Sequence, residues 1–243
     1  MKNSVFYTGC SGFSYKEWKN RFYPEKLAAT KWLAYYATVF NTVEINMTFY
    51  RKPSTQLFQR WYDTVPDHFS FSVKAPRLIT HYRKFVNVKT ELNEFYSFVS
   101  EGLREKAGCI LFQLPPSYSF TPERLEHIIG NLSGGFMNVV EFRHASWWNS
   151  EVMTACKEAG IVFCGISHPT LPDELIKTAP VIYYRFHGTP ELYYSSYDDA
   201  FMQKIAASIR HKQSETELVY LYFNNTASVA AVDNAKYIRE LLV

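Results

Sequence analysis

Short apolar runs that end in polar groups alternate along the chain with longer amphipathic segments. The sharpest run is Val139-Val140-Glu141-Phe142-Arg143-His144. Successive side chains of a strand point to opposite faces, so Glu141 and Arg143 share one face while Val140 and Phe142 share the other. The pattern predicts a strand with one face that becomes charged at its end. Five further runs change in the same way: Val43-Glu44-Ile45-Asn46, Phe71-Ser72-Val73-Lys74, Leu111-Phe112-Gln113-Leu114, Tyr183-Tyr184-Arg185-Phe186-His187 and Tyr220-Leu221-Tyr222-Phe223-Asn224.

Amphipathic helices are predicted between these runs. Thr121-Pro122-Glu123 offers an N-cap, a proline in the first turn and an early acid, and an apolar stripe begins at Leu125. Apolar residues recur at the same helical spacing in four other segments. These are Leu33, Tyr36, Ala37 and Phe40; Leu92, Phe95, Tyr96, Val99 and Leu103; Phe201, Ile205 and Ile209; and Ala231, Ala235, Ile238 and Leu242.

Strand candidates at 5–9 and 161–166 bring the number of βα units to eight. Strict alternation predicts an α/β fold with a parallel sheet, and eight units in 243 residues favour one closed (β/α)8, TIM-like barrel with outer helices. We therefore expect residues 1–243 to form a single domain. A doubly wound open sheet is the alternative, but Gly9-Cys10-Ser11-Gly12 lacks the glycine spacing of a dinucleotide-binding turn.

Composition narrows the classes of function. The net charge is +3 with seven histidines counted as neutral, which is too small and too dispersed to predict a nucleic-acid or membrane surface. The sequence has no signal-like N-terminus and no apolar stretch as long as a membrane span, so we expect a cytoplasmic protein without membrane contact. Cys10, Cys109, Cys156 and Cys164 form no CxxC pair and are interpreted as reduced core thiols.

The polar faces should meet where parallel strands end, which is where barrel enzymes place their active sites. Arg143, Arg185 and Lys74 outnumber Glu44 and Glu141 there, so this mouth should favour an anion such as a phosphate or a carboxylate. We expect the remaining substrate contacts from side chains near the strand ends. They are Asn46, Gln113, Asn224, His81, His144 and Tyr15.

Acid–base chemistry and metal binding draw on the same groups. Glu141 or Glu44 is the expected general base, and His187 the expected acid or orienting group. No close ligand motif such as HExxH is present, so neither a metal nor an organic cofactor is predicted. Glu44, Glu141, His81 and His187 would be the ligands of a divalent metal if folding brings them together.

Other interpretations of these features remain open. The charges can instead form ion pairs that only stabilise the barrel. The loops after the last two strands, 187–189 and 224–228, are small enough for backbone N–H groups to approach a phosphate, although such residues are also ordinary turn formers. A loop with Tyr193, Tyr194 and Tyr197 is either a lid over the mouth or an ordinary packed loop.

Ordered motifs along essentially the whole chain resemble the YecE-like family of bacterial proteins of unknown function. The resemblance implies a TIM-like barrel and supplies no reaction. Phe13 stands where the family frequently has Trp. Thr226-Ala227-Ser228 stands where the family commonly has glycine, which weakens the prediction that this loop binds phosphate through its backbone. The matching motifs are Thr8-Gly9-Cys10-Ser11-Gly12-Phe13-Ser14-Tyr15, Phe22-Tyr23-Pro24, Glu44-Ile45-Asn46, Lys74-Ala75-Pro76-Arg77, Gln113-Leu114-Pro115-Pro116-Ser117, Glu141-Phe142-Arg143-His144, Tyr184-Arg185-Phe186-His187-Gly188 and Tyr222-Phe223-Asn224-Asn225.

The sequence thus predicts an enzyme that acts on an anionic small molecule at the barrel mouth. One alternative is a nucleic-acid or nucleotide processing barrel with aromatic side chains that stack on bases. Another is a non-catalytic anion-binding protein, which needs the same ligands and differs only in the absence of turnover. The aromatic residues of the first alternative are Phe13, Tyr15, Trp18, Trp147 and Trp148.

Overall fold

Nine strands and eight α-helices occur along the part of the chain that the structure, a computed structural model, describes: residues 4–132 and 134–242. The strands are β1 Val5–Cys10, β2 Thr42–Ile45, β3 Ser70–Lys74, β4 Ala107–Gln113, β5 Asn138–Glu141, β6 Val162–Phe163, β7 Gly165–Ser167, β8 Val181–Phe186 and β9 Leu218–Phe223. The helices are α1 Trp32–Val39, α2 Met47–Tyr50, α3 Thr55–Thr64, α4 Lys89–Leu103, α5 Pro122–Asn131, α6 Ser150–Glu158, α7 Asp199–Lys212 and α8 Ala230–Leu242.

The strands form two parallel sheets, with orders β1-β9-β8-β7 and β2-β3-β4-β5-β6. The predicted α/β fold with parallel strands is confirmed, but the described residues contain no α-helix between β6, β7 and β8 and no single closed hydrogen-bonded sheet. One predicted strand, at 161–166, is divided at Cys164 into β6 and β7, which belong to different sheets. At the other junction the Tyr36 hydroxyl accepts from Cys10 N at 2.7 Å and donates to Thr42 O at 3.0 Å. A side chain therefore joins β1 to β2 where backbone pairing is missing.

The helices begin and end where their sequences predict. Thr121 accepts a hydrogen bond from Arg124 N and Pro122 is the first residue of α5, as expected of an N-cap followed by proline. Asp198 caps α7 in the same way by accepting from Phe201 N. The apolar stripe of each helix is largely buried against the sheets, as Leu92 and Val99 of α4 illustrate. No helix of the described residues is both long and apolar enough to cross a membrane.

Side-chain alternation separates two buried clusters. Phe142 and Phe186 belong to the larger cluster, which includes the buried faces of the helices. The smaller cluster takes side chains of the opposite parity from both sheets, including Val139 of β5 and Tyr183 of β8. Inward-facing side chains of the two sheets therefore pack against each other. Glu141 and Arg185, which have the same parity, continue this inner face at the ends of their strands.

Candidate functional site

Polar side chains collect at the carboxyl ends of the strands. Lys74, Gln113 and Glu141 are the last residues of β3, β4 and β5, and Asn46 follows the end of β2 directly. All strand pairs are parallel, so these ends lie along the same edge of the sheets. We use the name charged cluster for the five buried or nearly buried groups at its centre: Glu44, Glu141, Arg143, Arg185 and His187.

Arg185 lies between the two carboxylates of the charged cluster. Its Nη1 donates to Glu141 Oε2 at 2.5 Å and its Nη2 donates to Glu44 Oε1 at 2.6 Å. The Arg185 side chain is 1% exposed and both glutamates are fully buried. Burial alone would lower the pKa of Arg185, but Glu141 and Glu44 raise it well above its ordinary value. Arg185 is thus charged, and both of its Nη atoms are bonded to buried carboxylates.

Glu141 also contacts Arg143 and His187. Arg143 Nε donates to Glu141 Oε1, and His187 Nε2 faces the same oxygen at 3.3 Å. His187 Nδ1 lies 3.4 Å from Arg143 Nη2 and 3.0 Å from Asn224 Nδ2. A guanidinium nitrogen only donates, so we assign His187 Nδ1 as the acceptor and Nε2 as the protonated nitrogen.

The protonation states follow from burial and from the neighbouring charges. Burial raises the pKa of Glu141, but Arg143 and Arg185 outweigh it and hold that pKa well below the usual range. Burial, with Arg143 beside it, lowers the pKa of His187 well below its ordinary value. At neutral pH, Glu141 is therefore ionised and His187 neutral. These directions argue against Glu141 as a general base and against His187 as an acid at neutral pH.

Glu44 is the second carboxylate of the charged cluster. Tyr183 donates its hydroxyl hydrogen bond to Glu44 Oε2 at 2.7 Å, and Asn46 Nδ2 donates to Oε1 at 3.1 Å. Arg185 Nη2 has a further contact with Ser11 Oγ at 3.5 Å. Glu44 accepts three hydrogen bonds and is fully buried, so it stabilises the site without facing solvent.

Lys74 lies beside the charged cluster in a different environment. Its Nζ donates to Gln113 Oε1 at 2.7 Å and lies 4.2 Å from the centroid of the Phe49 ring. The His81 ring packs edge-on against the same Phe49 ring, with 4.8 Å between the centroids. In the described residues, no carboxylate lies within ion-pair distance of Lys74 Nζ. Burial, reinforced by Arg185, lowers the pKa of Lys74 to about 8.

The lowered pKa of His81 predicts how the free energy of unfolding depends on pH. Burial and the nearby Lys74 lower its pKa to about 4, from an ordinary value of 6.5. Because the unfolded chain binds the proton more readily, the stability due to neutral His81 is complete above pH 6.5 and is lost progressively down to pH 4. We expect His81→Asn to reduce the slope of the unfolding free energy over this range. The measurement is urea unfolding at several pH values.

The control for this prediction is His127→Asn, since His127 is exposed on α5. The wild type and the control should lose stability in parallel as the pH falls. Glu141 also contributes at the acid end, because a carboxyl with a lowered pKa loses its contribution when it is protonated. An unchanged slope in His81→Asn would contradict the assignment of the buried neutral imidazole.

His144 and Tyr15, two of the predicted substrate contacts, form hydrogen bonds within their own loops. His144 Nδ1 lies 2.8 Å from Ser146 Oγ, and its ring caps the short helix Ala145–Trp147. Tyr15 donates to Ser11 O at 2.5 Å. Tyr15 nevertheless lines an open cleft of about 370 Å³ at the ends of β1 and β2. This β1–β2 cleft is formed by Ser11, Gly12, Phe13, Ser14, Tyr15, Ile45, Asn46, Met47, Arg51 and Trp61.

The loops proposed for phosphate binding are already hydrogen-bonded. Gly188 N donates to the Tyr197 hydroxyl at 2.8 Å, and Ala227 N donates to Tyr193 O at 3.3 Å. Asn224 N donates to Phe186 O at 2.8 Å. These three amides are not directed at an empty space, because they organise the loops themselves. The prediction of an open backbone cradle is therefore wrong at these amides.

The tyrosine loop combines packed and exposed residues. Tyr197 is 7% exposed and stacks on Phe201, which is how an ordinary packed loop is held. Tyr193 is 41% exposed, with its ring centroid 6.3 Å from that of His187. Only the Tyr193–Tyr194 end of this loop is therefore exposed near the charged cluster.

Some residues of the site were not predicted. Tyr183 precedes Arg185 by two positions, so the parity that identified Arg185 also placed this hydroxyl beside Glu44. His168 is not among the predicted site residues, yet its ring centroid is 5.9 Å from that of His187. Phe49 and Arg51 have no strand parity, because they lie in or just after α2. Only the three-dimensional structure identifies them.

Metal binding and thiol chemistry find limited support. Within 4–132 and 134–242, no group of three or more His, Cys, Asp or Glu residues could hold a metal ion. Glu44 and Glu141 bind Arg185 instead, and His81 lies on Phe49. The four cysteines are free and buried, in agreement with the interpretation as core thiols.

The aromatic residues proposed for base stacking are largely internal. Trp18 and Trp147 are fully buried. Phe13, Tyr15 and Trp148 are partly buried and pack against the core. Trp147 donates its indole N–H to Tyr118 O at 2.6 Å, which is a structural role. Trp18 and Trp147 are therefore not available for stacking, whereas Phe13 and Tyr15 line the open β1–β2 cleft.

Known proteins resemble the chain in sequence. The UPF0759 protein YunF of Bacillus subtilis (strain 168) is 23% identical, and the match covers 98% of this chain and 95% of YunF. The UPF0759 protein YecE of Escherichia coli (strain K12) is 31% identical over 59% of this chain, and the chain spans half of the length of YecE in that match.

Solved structures resemble it in fold. A DUF72 family protein from Thermotoga maritima MSB8 superposes with a TM-score of 0.90 at 28% identity, covering 98% of this chain and 99% of that protein. A DUF72 family protein from Enterococcus faecalis V583 superposes with a TM-score of 0.84 at 18% identity, covering 98% of this chain and 95% of that one. The family model for the protein of unknown function DUF72 matches residues 7–243. The chain therefore belongs to the DUF72 family, as its resemblance to YecE-like proteins implied.

Proposed function

We propose that this protein is an enzyme that acts on an anionic small molecule at the carboxyl ends of its strands. The observation that carries the proposal is Lys74, a partly buried cation at this edge that is bonded to an amide oxygen rather than to a carboxylate. Ionised groups are costly to bury without a partner of opposite charge. An anionic ligand beside Lys74 would supply that partner.

The charge balance of the site supports an anion. Three cations, Arg143, Arg185 and Lys74, are present with two carboxylates, while His187 is neutral. Both Nη atoms of Arg185 bind the two carboxylates, and Arg143 binds Glu141 through Nε. In the proposal, Lys74 and the outer nitrogens of Arg143 contact the anion. Arg185, Glu44 and Glu141 then position these groups.

The β1–β2 cleft would hold the body of the ligand. Asn46 and Ser11 belong both to this cleft and to the surroundings of the charged cluster, since Asn46 donates to Glu44 and Ser11 contacts Arg185. Asn46 Oδ1 is buried without a hydrogen-bond partner and would accept a bond from a ligand hydroxyl or N–H group. Trp61 adds an apolar wall, and Arg51 a second positive charge. Ligand sites commonly combine such walls with a few polar groups.

The proposal includes a barrel-like arrangement of the two sheets. Side chains from both sheets meet in the smaller buried cluster, and side chains bridge the junction of β1 and β2. The mouth of this barrel would be the edge that carries Asn46, Lys74, Gln113 and Asn224. We propose residues 1–243 as one domain on the same basis.

Two alternatives predict different results. A non-catalytic binding protein would bind the anion without converting it. Binding of nucleic acid would show a steep dependence on salt concentration, because it releases counterions. The burial of Trp18 and Trp147 favours a small molecule over a stacked nucleic acid.

The test is a thermal-shift screen of inorganic phosphate and of phosphorylated and carboxylated metabolites. A ligand at 100 times its dissociation constant should stabilise the protein by about 2.7 kcal/mol. Lys74→Met should lose this response, whereas Lys177→Met, which removes a cation bonded to exposed Glu215, should keep it. If no anion stabilises the wild type, or if Lys74→Met responds as fully as the wild type, the proposed site is wrong. Turnover of a stabilising compound, followed by mass spectrometry, separates the enzyme from a binding protein.

A further inference from the structure

Lys74, which is partly buried, differs from the buried Lys106 in what its ammonium group contacts. Lys106 Nζ donates to two backbone carbonyls, Tyr62 O at 2.9 Å and Val65 O at 2.8 Å, and lies 3.6 Å from Asp67. Those contacts satisfy an ammonium group in a structural role. Among the described residues, Lys74 Nζ has a single acceptor, Gln113 Oε1, and it also lies over the Phe49 ring.

This environment makes the neutral amine of Lys74 more accessible than that of an exposed lysine. An ammonium group gains from several acceptors, whereas an amine retains its lone pair and needs fewer. With a pKa lowered to about 8, roughly half of Lys74 is unprotonated at pH 8. Burial among other cations is a known way to activate a lysine as a nucleophile. The side chain is only partly buried, so a small molecule has access to it.

His81 lies on the same aromatic ring as Lys74. Its ring packs against Phe49, and its Nδ1 lies 2.9 Å from Thr80 Oγ1. With a pKa of about 4, the imidazole is neutral at physiological pH. A neutral imidazole both accepts and donates a proton, so it serves as a proton carrier beside a reacting amine.

We infer that Lys74 is a nucleophile that forms an imine with a small anionic carbonyl compound, such as a 2-oxo acid. This inference rests on the proposed function and specifies its reaction class. The Nζ lone pair attacks the carbonyl carbon, a C–N bond forms as the C=O π bond breaks, and one N–H proton of the attacking amine passes to the oxygen to give a carbinolamine. The nitrogen lone pair then forms the C=N bond as the C–O bond breaks, the hydroxyl group leaves as water with one proton taken from solvent and relayed through neutral His81, and a protonated imine remains.

The other groups have roles consistent with this step. The protonated imine replaces the ammonium group as a cation, so the charge beside Gln113 is the same before and after the reaction. The ligand carboxylate would bind Arg143, which reaches solvent with 8% of its side-chain surface. Gln113 Oε1 holds the amine in place before the attack. Arg185 remains bound to Glu44 and Glu141 and orients the site.

The experiment traps the imine by reduction. The wild-type protein is incubated with pyruvate and sodium cyanoborohydride, and adducts are located by intact mass and peptide mapping. We expect one reduced adduct, at Lys74, with a labelling rate that rises through about pH 8, the pKa of this amine. Lys74→Arg should lose the adduct. Lys52→Arg is the matched control, because exposed Lys52 also lies over an aromatic ring, at 5.6 Å from the Phe98 centroid.

Lactate and propanal separate this inference from the proposed function. Lactate keeps the carboxylate but lacks the carbonyl, so it should raise the melting temperature and slow labelling by pyruvate. If lactate and pyruvate stabilise the protein but Lys74 is not labelled, the imine is wrong and anion binding stands. If propanal labels Lys74 as efficiently as pyruvate does and lactate has no effect, the nucleophile stands and the anion site is wrong. Labelling spread over exposed lysines, or undiminished in Lys74→Arg, overturns the inference.

Discussion

Arg185→Met should destabilise the protein by about 3–5 kcal/mol, as expected when one partner of a buried ion pair is removed. The reason is the position of Arg185 between two fully buried carboxylates, Glu44 and Glu141. Methionine fills a similar space but leaves Glu44 without a cation within ion-pair distance in the described residues, and leaves Glu141 with Arg143 alone as an ionised partner. Urea unfolding at neutral pH measures the loss.

Lys177→Met is the control, because it breaks an ion pair on the surface. Lys177 binds Glu215, whose side chain is 78% exposed, and such pairs contribute about 0–1 kcal/mol. Replacing Glu44 and Glu141 by glutamine in the Arg185→Met background should recover part of the stability, since no buried charge is then left unpaired. A loss below about 1 kcal/mol in Arg185→Met would show that the buried pairs contribute no more to stability than exposed pairs do.

Much of the fold followed from local sequence. The Thr121 cap, the apolar stripe of α4 and the outward packing of Phe142 and Phe186 depend on neighbours a few residues away. Strand parity also placed Glu141 and Arg185 on one inner face, where they bind each other. These features are predictable because helix and strand periodicities are fixed by backbone geometry.

Features that depend on distant partners were not predictable. Parity indicated that Arg185 points inward. It did not indicate that the carboxylates of Glu44 and Glu141, which are distant from Arg185 in sequence, would bind both of its Nη atoms. This pairing changes Arg185 from an expected anion ligand into a support for Lys74 and Arg143. Division of the predicted strand at Cys164 was equally hidden, since an apolar run does not reveal with which sheet each half pairs.

The ion-pair network and the proposed anion site therefore concern different residues. Arg185, Glu44 and Glu141 form the network, while Lys74 lies outside it. A network of this kind fixes nearby groups in one geometry, which is what a preorganised site requires. The buried pairs are then the structural support of the proposed site rather than an alternative to it.

Glu141→Ala should be destabilised by about 3–5 kcal/mol and should regain stability in formate. Removing this carboxylate leaves a space bounded by Arg143, Arg185 and His187, which all contact it in the wild type. Guanidinium groups bind carboxylates well, and formate is small enough to replace the missing group. At 100 times its dissociation constant, formate should restore about 2.7 kcal/mol. The melting temperature as a function of formate concentration measures this recovery.

Glu215→Ala is the matched control, because it removes a carboxylate that binds one cation on the surface. Sodium chloride at the same ionic strength is the reference for the screening of exposed charges. The Debye length for this screening is about 8 Å at 0.15 M salt. Formate should raise the melting temperature of Glu141→Ala well above its effect on the wild type and on the control. Equal shifts in all three proteins would mean that Arg143 and Arg185 move apart or turn to other acceptors once Glu141 is gone. The charged cluster would then be held together by Glu141 itself rather than by the strands that carry it.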